Sequence, residues 1–455
     1  MKIRRLVSVF LLTVLIASLC PIPRAYALAD PDLDAKAAIL IDETNGQRML
    51  YGKNEHTKSY PASITKVMTA LLTLEAVDRG ELRLDQPITA SQTALSNLDA
   101  DGSSAGVEVG EVLTVEQLLY CLLVISANET ANILAEAVSG SISAFVDLMN
   151  QRAAELGCTD THFANPNGLH DPNHYTTAWD IYLFTREAMK NETFMTIVGS
   201  KSYDVPATNL SDARELHSTN ALISNWRVLG YLYDGAEGIK TGSTDEAGYC
   251  LVSTAVRGGR RLIAVVLGCG TRTIGGEKKT MSFVDSATLY DWGYDNFSLQ
   301  TVLEDTDLIQ EVPVALSKEA SSVLVHPAQQ TSVLLPNDVS VDQLERKVTL
   351  VNETAMAPIQ VGDELGTLTL SYDGVDYVTV PLLAANDVSS NTFLVARHAI
   401  SQFFARGIVK IGIVVVLLLA ALFVYWLKVL HPQRRYGSAR SKRRAHSAYR
   451  GRRRR

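Results

Sequence analysis

The chain has 455 residues, 47 % hydrophobic and 20 % charged, which is the composition of a globular protein with room for two or three domains and a full core. Its net charge of −7 conceals an uneven distribution: of 42 Lys and Arg, 4 precede residue 28 and 12 follow residue 427. The other 26 face all 49 acids, so the body between the two ends carries −23, which excludes nucleic acid as its electrostatic partner.

Residues 1–27 read as a signal peptide. Lys2, Arg4 and Arg5 form a basic start, Leu6 to Leu19 an apolar run too short for a comfortable span, and Ala25-Tyr26-Ala27 supplies the small residues of a cleavage site. The mature chain is expected to begin near Leu28. An uncleaved anchor is the alternative. Cys20 would suggest a lipoprotein, but Leu19 stands where such sites want a small residue.

From Ala37 the chain reads strand, turn, strand, with Thr44-Asn45-Gly46 as the hairpin turn. A long apolar helix follows from Pro61, with Ser63 and Lys66 in its first turn. The polar, acidic stretch after Ser96 reads as a surface loop; it is like a calcium loop in composition but lacks the ligand spacing. Thr114 to Gln117 forms a capping box before "LLYCLLVIS", and helical periodicity continues from Glu129 to Gly157. Residues 177–190 form another helix, two or three strands lie between Gly238 and Gly270, and a last helix spans Ser282–Trp292. The helical block thus sits between an early hairpin and later strands that could share one sheet, a mixed α/β domain over about residues 34–297.

His170 and His174 have a helical metal spacing, but Pro172 and Asn173 between them argue for a loop, so no metal is expected there. On the hairpin "YCLVSTAVRGGRRLIAVVLGCG", pairing Val256 with Arg261 places Cys250 opposite Leu267, with Cys269 diagonal on the same face. A disulfide is conceivable; two buried thiols are the preferred reading, because a large core needs no staple.

After Asn296 the helical period stops. Residues 300–388 alternate apolar and polar with turn residues, as a small all-β domain with "YDGVDY" as a tight hairpin and no chemistry of its own. Residues 389–407 look like a helical connector. Ile411–Leu427 is an uncharged apolar run, extended by Gly407–Val409, and reads as a transmembrane helix over 408–428. A buried core helix is the alternative, and the acid-free basic tail over 429–455 decides against it. That tail marks the cytoplasmic side more simply than it marks nucleic-acid binding. The expectation is a single-pass protein of the cell membrane with an extracytoplasmic body and a cytoplasmic C-terminus.

Three short motifs carry chemistry. Ser63-x-x-Lys66 puts a hydroxyl and an amine on one helical face, and a serine needs a nearby base to become a nucleophile. Burial beside another cation would leave the lysine partly neutral. Ser126-Ala127-Asn128 puts a hydroxyl and an amide at a helix junction, or merely caps the next helix. Lys240-Thr241-Gly242 starts a strand, which offers backbone groups to an extended peptide and cationic and hydroxyl partners to a carboxylate; its bland reading is an edge strand. Each is weak alone, but their order and placement on helix, junction and strand are specific.

With these motifs the chain resembles the low-molecular-mass penicillin-binding proteins that act as serine D-alanyl-D-alanine carboxypeptidases. The resemblance runs over about residues 35–390 and includes "YPASITKVMTALLTLE", "ISANETANILAE", "FANPNGLHDPNHYTTAWD" and "GIKTGSTDEAGYCLV". It implies a β-lactamase/transpeptidase-like fold, with a sheet flanked by helices plus a helical subdomain, and no cofactor. It implies that Ser63 attacks the penultimate D-alanine of peptidoglycan stem peptides, that Lys66 is the base, and that Ser126 passes a proton to the leaving D-alanine. Asn128, Lys240, Thr241, Gly242 and Ser243 would bind substrate, the backbone N–H groups of Ser63 and Ser243 would hold the oxyanion, and β-lactams would trap Ser63 as inhibitors. Some members carry a histidine just after Lys-Thr-Gly and an arginine in the stretch matching "HSTNALI"; here those places hold Ser243 and Thr219. Most members grip the membrane with an amphipathic helix, so a full span is a variation. A class A β-lactamase would need a deacylating glutamate, and Phe163 to Asp180 offers none. A non-catalytic muropeptide-binding protein is the other alternative, against which the intact Ser63, Lys66 and Ser126 speak. No oligomeric state is legible.

Overall fold

The computed structural model describes residues 28–430, apart from 45, 46, 97, 100 and 101. The expected signal peptide, the tip of the first hairpin and the basic tail beyond its first two residues therefore lie outside the described residues. The chain divides into two compact units: residues up to Gln300 with Val333–Val341, and Thr301–Ser332 with the chain from Asp342 onward.

The first unit is organised by five strands, β1 (Ala37–Asp42), β2 (Arg48–Lys53), β3 (Ala236–Thr244), β4 (Gly248–Arg257) and β5 (Arg260–Cys269). Their order is β2-β1-β5-β4-β3, with antiparallel pairing throughout, so the hairpin and the late strands do share one sheet. The middle of β5, Leu262 to Leu267, is apolar at every position because both faces of the sheet are covered. Ile263, Val265 and Leu267 face one core, and Leu262, Ala264 and Val266 face the other.

The β4–β5 hairpin pairs Val256 with Arg261 as expected and keeps register to Leu251 opposite Val266; a bulge follows, and Tyr249 pairs with Cys269. Gly268 adopts φ +68° there. One extra residue reverses which way the next side chain points. Cys250 accordingly lies in one core and Cys269 in the other, which corrects the expectation that they share a face. Cys121, Cys158, Cys250 and Cys269 are all buried free thiols.

The insertion between β2 and β3 carries the helices α1 (Lys66–Asp78), α2 (Val115–Val124), α3 (Asn128–Ser139), α4 (Ile142–Glu155) and α5 (Ala178–Ala188). Helix α1 is buried on almost every side from Lys66 through Leu74, which explains its lack of a polar face. Helix α2 opens on the expected capping box: the Gln117 N–H donates to Thr114 Oγ1 at 3.2 Å and the Thr114 N–H to Gln117 Oε1 at 2.8 Å. The periodic stretch after residue 128 is two helices, because Gly140 ends α3 at φ +74° and Ser141 caps α4. Helix α6 (Met281–Asn296) covers the opposite face of the sheet through Leu289 and Tyr290.

The second unit is built on a six-stranded sheet whose long hairpin, Glu364–Tyr372 with Val375–Ala384, turns tightly at Asp373-Gly374. Both turn residues have positive φ, +49° and +74°, as a two-residue hairpin turn requires. Its core is apolar, with Val312, Val325, Leu368, Leu370 and Leu382 fully buried. Beyond it come helix α7 (Thr392–Ala405) and helix α8 (Gly407–Tyr425). The helical stretch Gly407–Val429, with mean hydropathy 2.9, is the one single helix among the described residues long and apolar enough to cross a membrane.

Candidate active site

Ser63 lies on a 3-10 turn, Ala62–Thr65, and α1 begins only at Lys66. This corrects the expectation that both residues share the first α-helical turn. The change helps their approach, since three residues per turn stack positions i and i+3 over one another. Ala62 opens the turn at φ +47°, a conformation that costs an L-residue about 1–3 kcal/mol and persists only where neighbours enforce it. Two neighbours do so. The Thr65 hydroxyl donates to the Ala62 carbonyl at 2.8 Å. Gly168 packs so closely that a Cβ on it would fall 2.0 Å from the Ala62 oxygen.

Lys66 is fully buried, and its Nζ lies 2.8 Å from Ser63 Oγ, 2.8 Å from Asn128 Oδ1 and 2.6 Å from the Asn167 carbonyl oxygen. Burial, and next the positive charge of Lys240, hold its pKa well below the lysine value of 10.5; the charge of Glu129 opposes them. The two amide oxygens can only accept hydrogen bonds. A neutral amine thus gives both N–H groups to them and leaves its lone pair for the Ser63 hydroxyl proton.

Asn128 is fixed at the start of α3 by its own N–H, which donates to the Ser103 carbonyl at 2.8 Å. Neither Ser126 nor Asn128 caps α3, whose N-cap position is Ala127 with no side-chain cap bond. Ser126 sits in the break between α2 and α3, 4 % exposed, at φ +69°. Its neighbours tie this break to the cleft: the Val124 carbonyl accepts the Thr219 N–H at 3.0 Å, and Asn128 holds Lys66.

Strand β3 closes the other side. A Cβ on Gly242 would stand 2.8 Å from the Pro61 oxygen and 3.1 Å from the Ser63 nitrogen, so only glycine lets the strand lie against the turn. Lys240 is buried with Nζ donating to the Thr241 carbonyl at 2.9 Å. Burial, and then the charge of Arg227, push its pKa down to about 7. Thr241 is half-buried, with its hydroxyl 2.7 Å from that of Thr219; Ser243 lies exposed on the same side of the strand.

The structure therefore gathers Ser63, Lys66, Asn128 and the Lys240–Ser243 strand, with Ser126 in the adjoining break. Sequence reasoning missed the Asn167 carbonyl, although "ANPNG" signals a turn, because a backbone oxygen leaves no trace in residue type. It also missed Glu129, which accepts from Ser104 Oγ at 2.8 Å and from the Ala105 N–H at 2.6 Å. His170 and His174 diverge: His170 lies 3.9 Å from Glu246, whereas His174 is buried against Thr65.

Residues 24–271 match the family described as D-alanyl-D-alanine carboxypeptidase, and residues 297–390 match the penicillin-binding protein 5 C-terminal domain. The D-alanyl-D-alanine carboxypeptidase DacF of Bacillus subtilis is 32 % identical over 397 residues, 86 % of this chain and 96 % of the relative. The crystal structure of penicillin-binding protein 5 from Haemophilus influenzae covers 80 % of this chain at 27 % identity and TM-score 0.61, with 100 % of that chain matched. That of the carboxypeptidase DacD from Francisella tularensis covers 82 % of this chain at 26 % identity and TM-score 0.63, with 98 % matched.

Proposed function

This chain belongs to the D-alanyl-D-alanine carboxypeptidase family, the low-molecular-mass penicillin-binding proteins, and from that premise we propose that it removes the terminal D-alanine from peptidoglycan stem peptides through an acyl-enzyme on Ser63. The observation that carries this reading is the buried Lys66 amine between two acceptor-only oxygens and the Ser63 hydroxyl. Lys66 takes the Ser63 proton as Oγ bonds to the carbonyl carbon of the penultimate D-alanine. The N–H groups of Ser63 and Ser243 face the developing oxyanion from the turn and the strand. As the carbon–nitrogen bond breaks, the leaving amine gains a proton through Ser126 and departs as D-alanine. Water then attacks the ester, Lys66 takes its proton, and Ser63 is restored. Asn128 positions the peptide. Lys240, Thr241 and Ser243 receive its terminal carboxylate beside Gly242. β-Lactams acylate Ser63 in place of the peptide.

The apolar stretch Gly407–Val429 is read as the anchor of an exported body, with the basic tail on the cytoplasmic side. The test uses the full chain in detergent with a peptide ending in D-Ala-D-Ala. Wild type releases free D-alanine and is labelled by fluorescent penicillin; Ser63→Ala does neither. Labelling without release would favour a penicillin-binding protein that does not turn over peptide. Release by Ser63→Ala would refute the nucleophile.

A further inference from the structure

The mechanism above leaves a buried, titratable imidazole unused beneath the nucleophile. His174 is 2 % exposed and lies 109 residues from its partner Thr65 in the chain. Its Nδ1 accepts the Ala164 N–H at 3.0 Å. That bond fixes the tautomer, because a proton on Nδ1 would face another N–H. The ring proton is therefore on Nε2, which lies 2.7 Å from Thr65 Oγ1 and donates to it. Thr65 in turn spends its own hydroxyl proton on the Ala62 carbonyl at 2.8 Å. The chain of donors runs in one direction: Ala164 N–H, imidazole, Thr65 hydroxyl, Ala62 carbonyl.

Both ends of that chain belong to the site. Ala62 and Thr65 are the first and last residues of the 3-10 turn that presents Ser63, and Ala62 holds the left-handed conformation that needs support. Ala164 leads into Pro166 and Asn167; the Pro166 carbonyl accepts the Thr69 hydroxyl at 2.6 Å and the Asn167 carbonyl accepts Lys66 at 2.6 Å. His174 is thus the one imidazole among the described residues bridging the segment that carries the nucleophile to the segment that holds its base. Burial, the larger influence, keeps the ring neutral, with its pKa pushed down to about 4.

We infer that His174 is a positioning residue: it locks the Ser63 turn against the Asn167 loop through Thr65 and so sets the contact between Ser63 Oγ and Lys66 Nζ. The inference rests on the reading of Ser63 as the nucleophile, but not on the identity of the peptide substrate. It requires no proton transfer by the histidine. A small displacement of Ser63 relative to Lys66 is enough to slow acylation by about 100-fold.

The experiment uses the full chain in detergent and compares His174→Leu, His174→Gln, Thr65→Val and the double variant His174→Leu/Thr65→Val. The readouts are the second-order rate of Ser63 labelling by fluorescent penicillin, kcat and KM for D-alanine release, and the thermal midpoint. His174→Leu removes the bridge and is expected to lower the labelling rate and kcat by about 10- to 100-fold with KM nearly unchanged. His174→Gln keeps an amide N–H for Thr65 and is expected to recover most of that loss, even where its thermal midpoint is no higher than that of the leucine variant. Thr65→Val cuts the same bond from the other side, so its loss should match His174→Leu and the double variant should be little worse than either. Equal rates in wild type and His174→Leu would overturn the inference. So would losses in the leucine and glutamine variants that follow only their thermal midpoints, or additive losses in the double variant. Penicillin labelling reports on Ser63 even if no D-alanine is released, so failure of the carboxypeptidase reading leaves this test intact.

Discussion

The two units of the molecule treat buried polar groups in opposite ways. The first encloses Lys66, Lys240, Glu111, Asn128, Glu129 and His174 at 5 % exposure or less, along with many hydroxyls. In the second, Thr331 is the one buried polar side chain among the described residues, and the core is valine, leucine, isoleucine and alanine. Enclosing a lysine costs several kcal/mol unless it is neutralised and hydrogen-bonded. A chain that accepts that cost in one unit and avoids it in the other separates reactivity from architecture. Buried polar groups in the first unit should therefore matter more to rate than to stability, and buried groups in the second the reverse.

Lys66→Met is the strongest challenge to that contrast. It should reduce penicillin labelling and D-alanine release by about 10³-fold or more, the scale of a lost general base. The thermal midpoint should stay within about 5 °C of wild type, because the fold loses a buried amine and retains its volume. A collapse of the midpoint like that of a core truncation would break the contrast. Leu368→Ala is the mirror experiment. Leu368 is fully buried in the second unit, so urea unfolding should show that unit weakened by about 2–5 kcal/mol while kcat for D-alanine release is unaltered. A fall in kcat would show that the second unit shapes the chemistry.

The smallest effect concerns pH. With its pKa lowered to about 7, Lys240 is charged below that pH and loses its charge as pH rises through it. Carboxylate binding should weaken in the same range, seen as a rise in KM above pH 7. Arg227→Gln removes the like charge that helps depress Lys240, so the rise should begin at higher pH, by a few tenths of a unit. A shift to lower pH would contradict the assignment of Lys240 to the carboxylate.

Much of this was legible in the sequence because it is written locally. The capping box at Thr114, the Asp373-Gly374 turn and the apolar run of β5 each declare themselves within a few residues. The Lys-Thr-Gly strand was legible for the same reason, and Gly242 now has a steric explanation. What escaped is written across distance. The Asn167 carbonyl reaches Lys66 over 101 residues, and the His174 bond to Thr65 spans 109. No periodicity encodes such pairings. The 3-10 turn at Ser63 also escaped, since its stability comes from Gly168 and Thr65 packing on Ala62 more than from propensity.

The bulge at Gly268 has a chemical consequence. Tyr249 pairs with Cys269, so Cys250 and Cys269 are near neighbours along the chain paths, yet their sulfurs emerge on opposite surfaces of one sheet. Side chains that diverge in this way cannot be bridged without moving the backbone. A one-residue irregularity thus aims the two sulfurs into different cores, Cys269 Sγ beside Asp285 Oδ2 at 3.7 Å and Cys250 Sγ beside the Ala247 carbonyl at 3.6 Å, so an oxidant would meet two separately buried thiols.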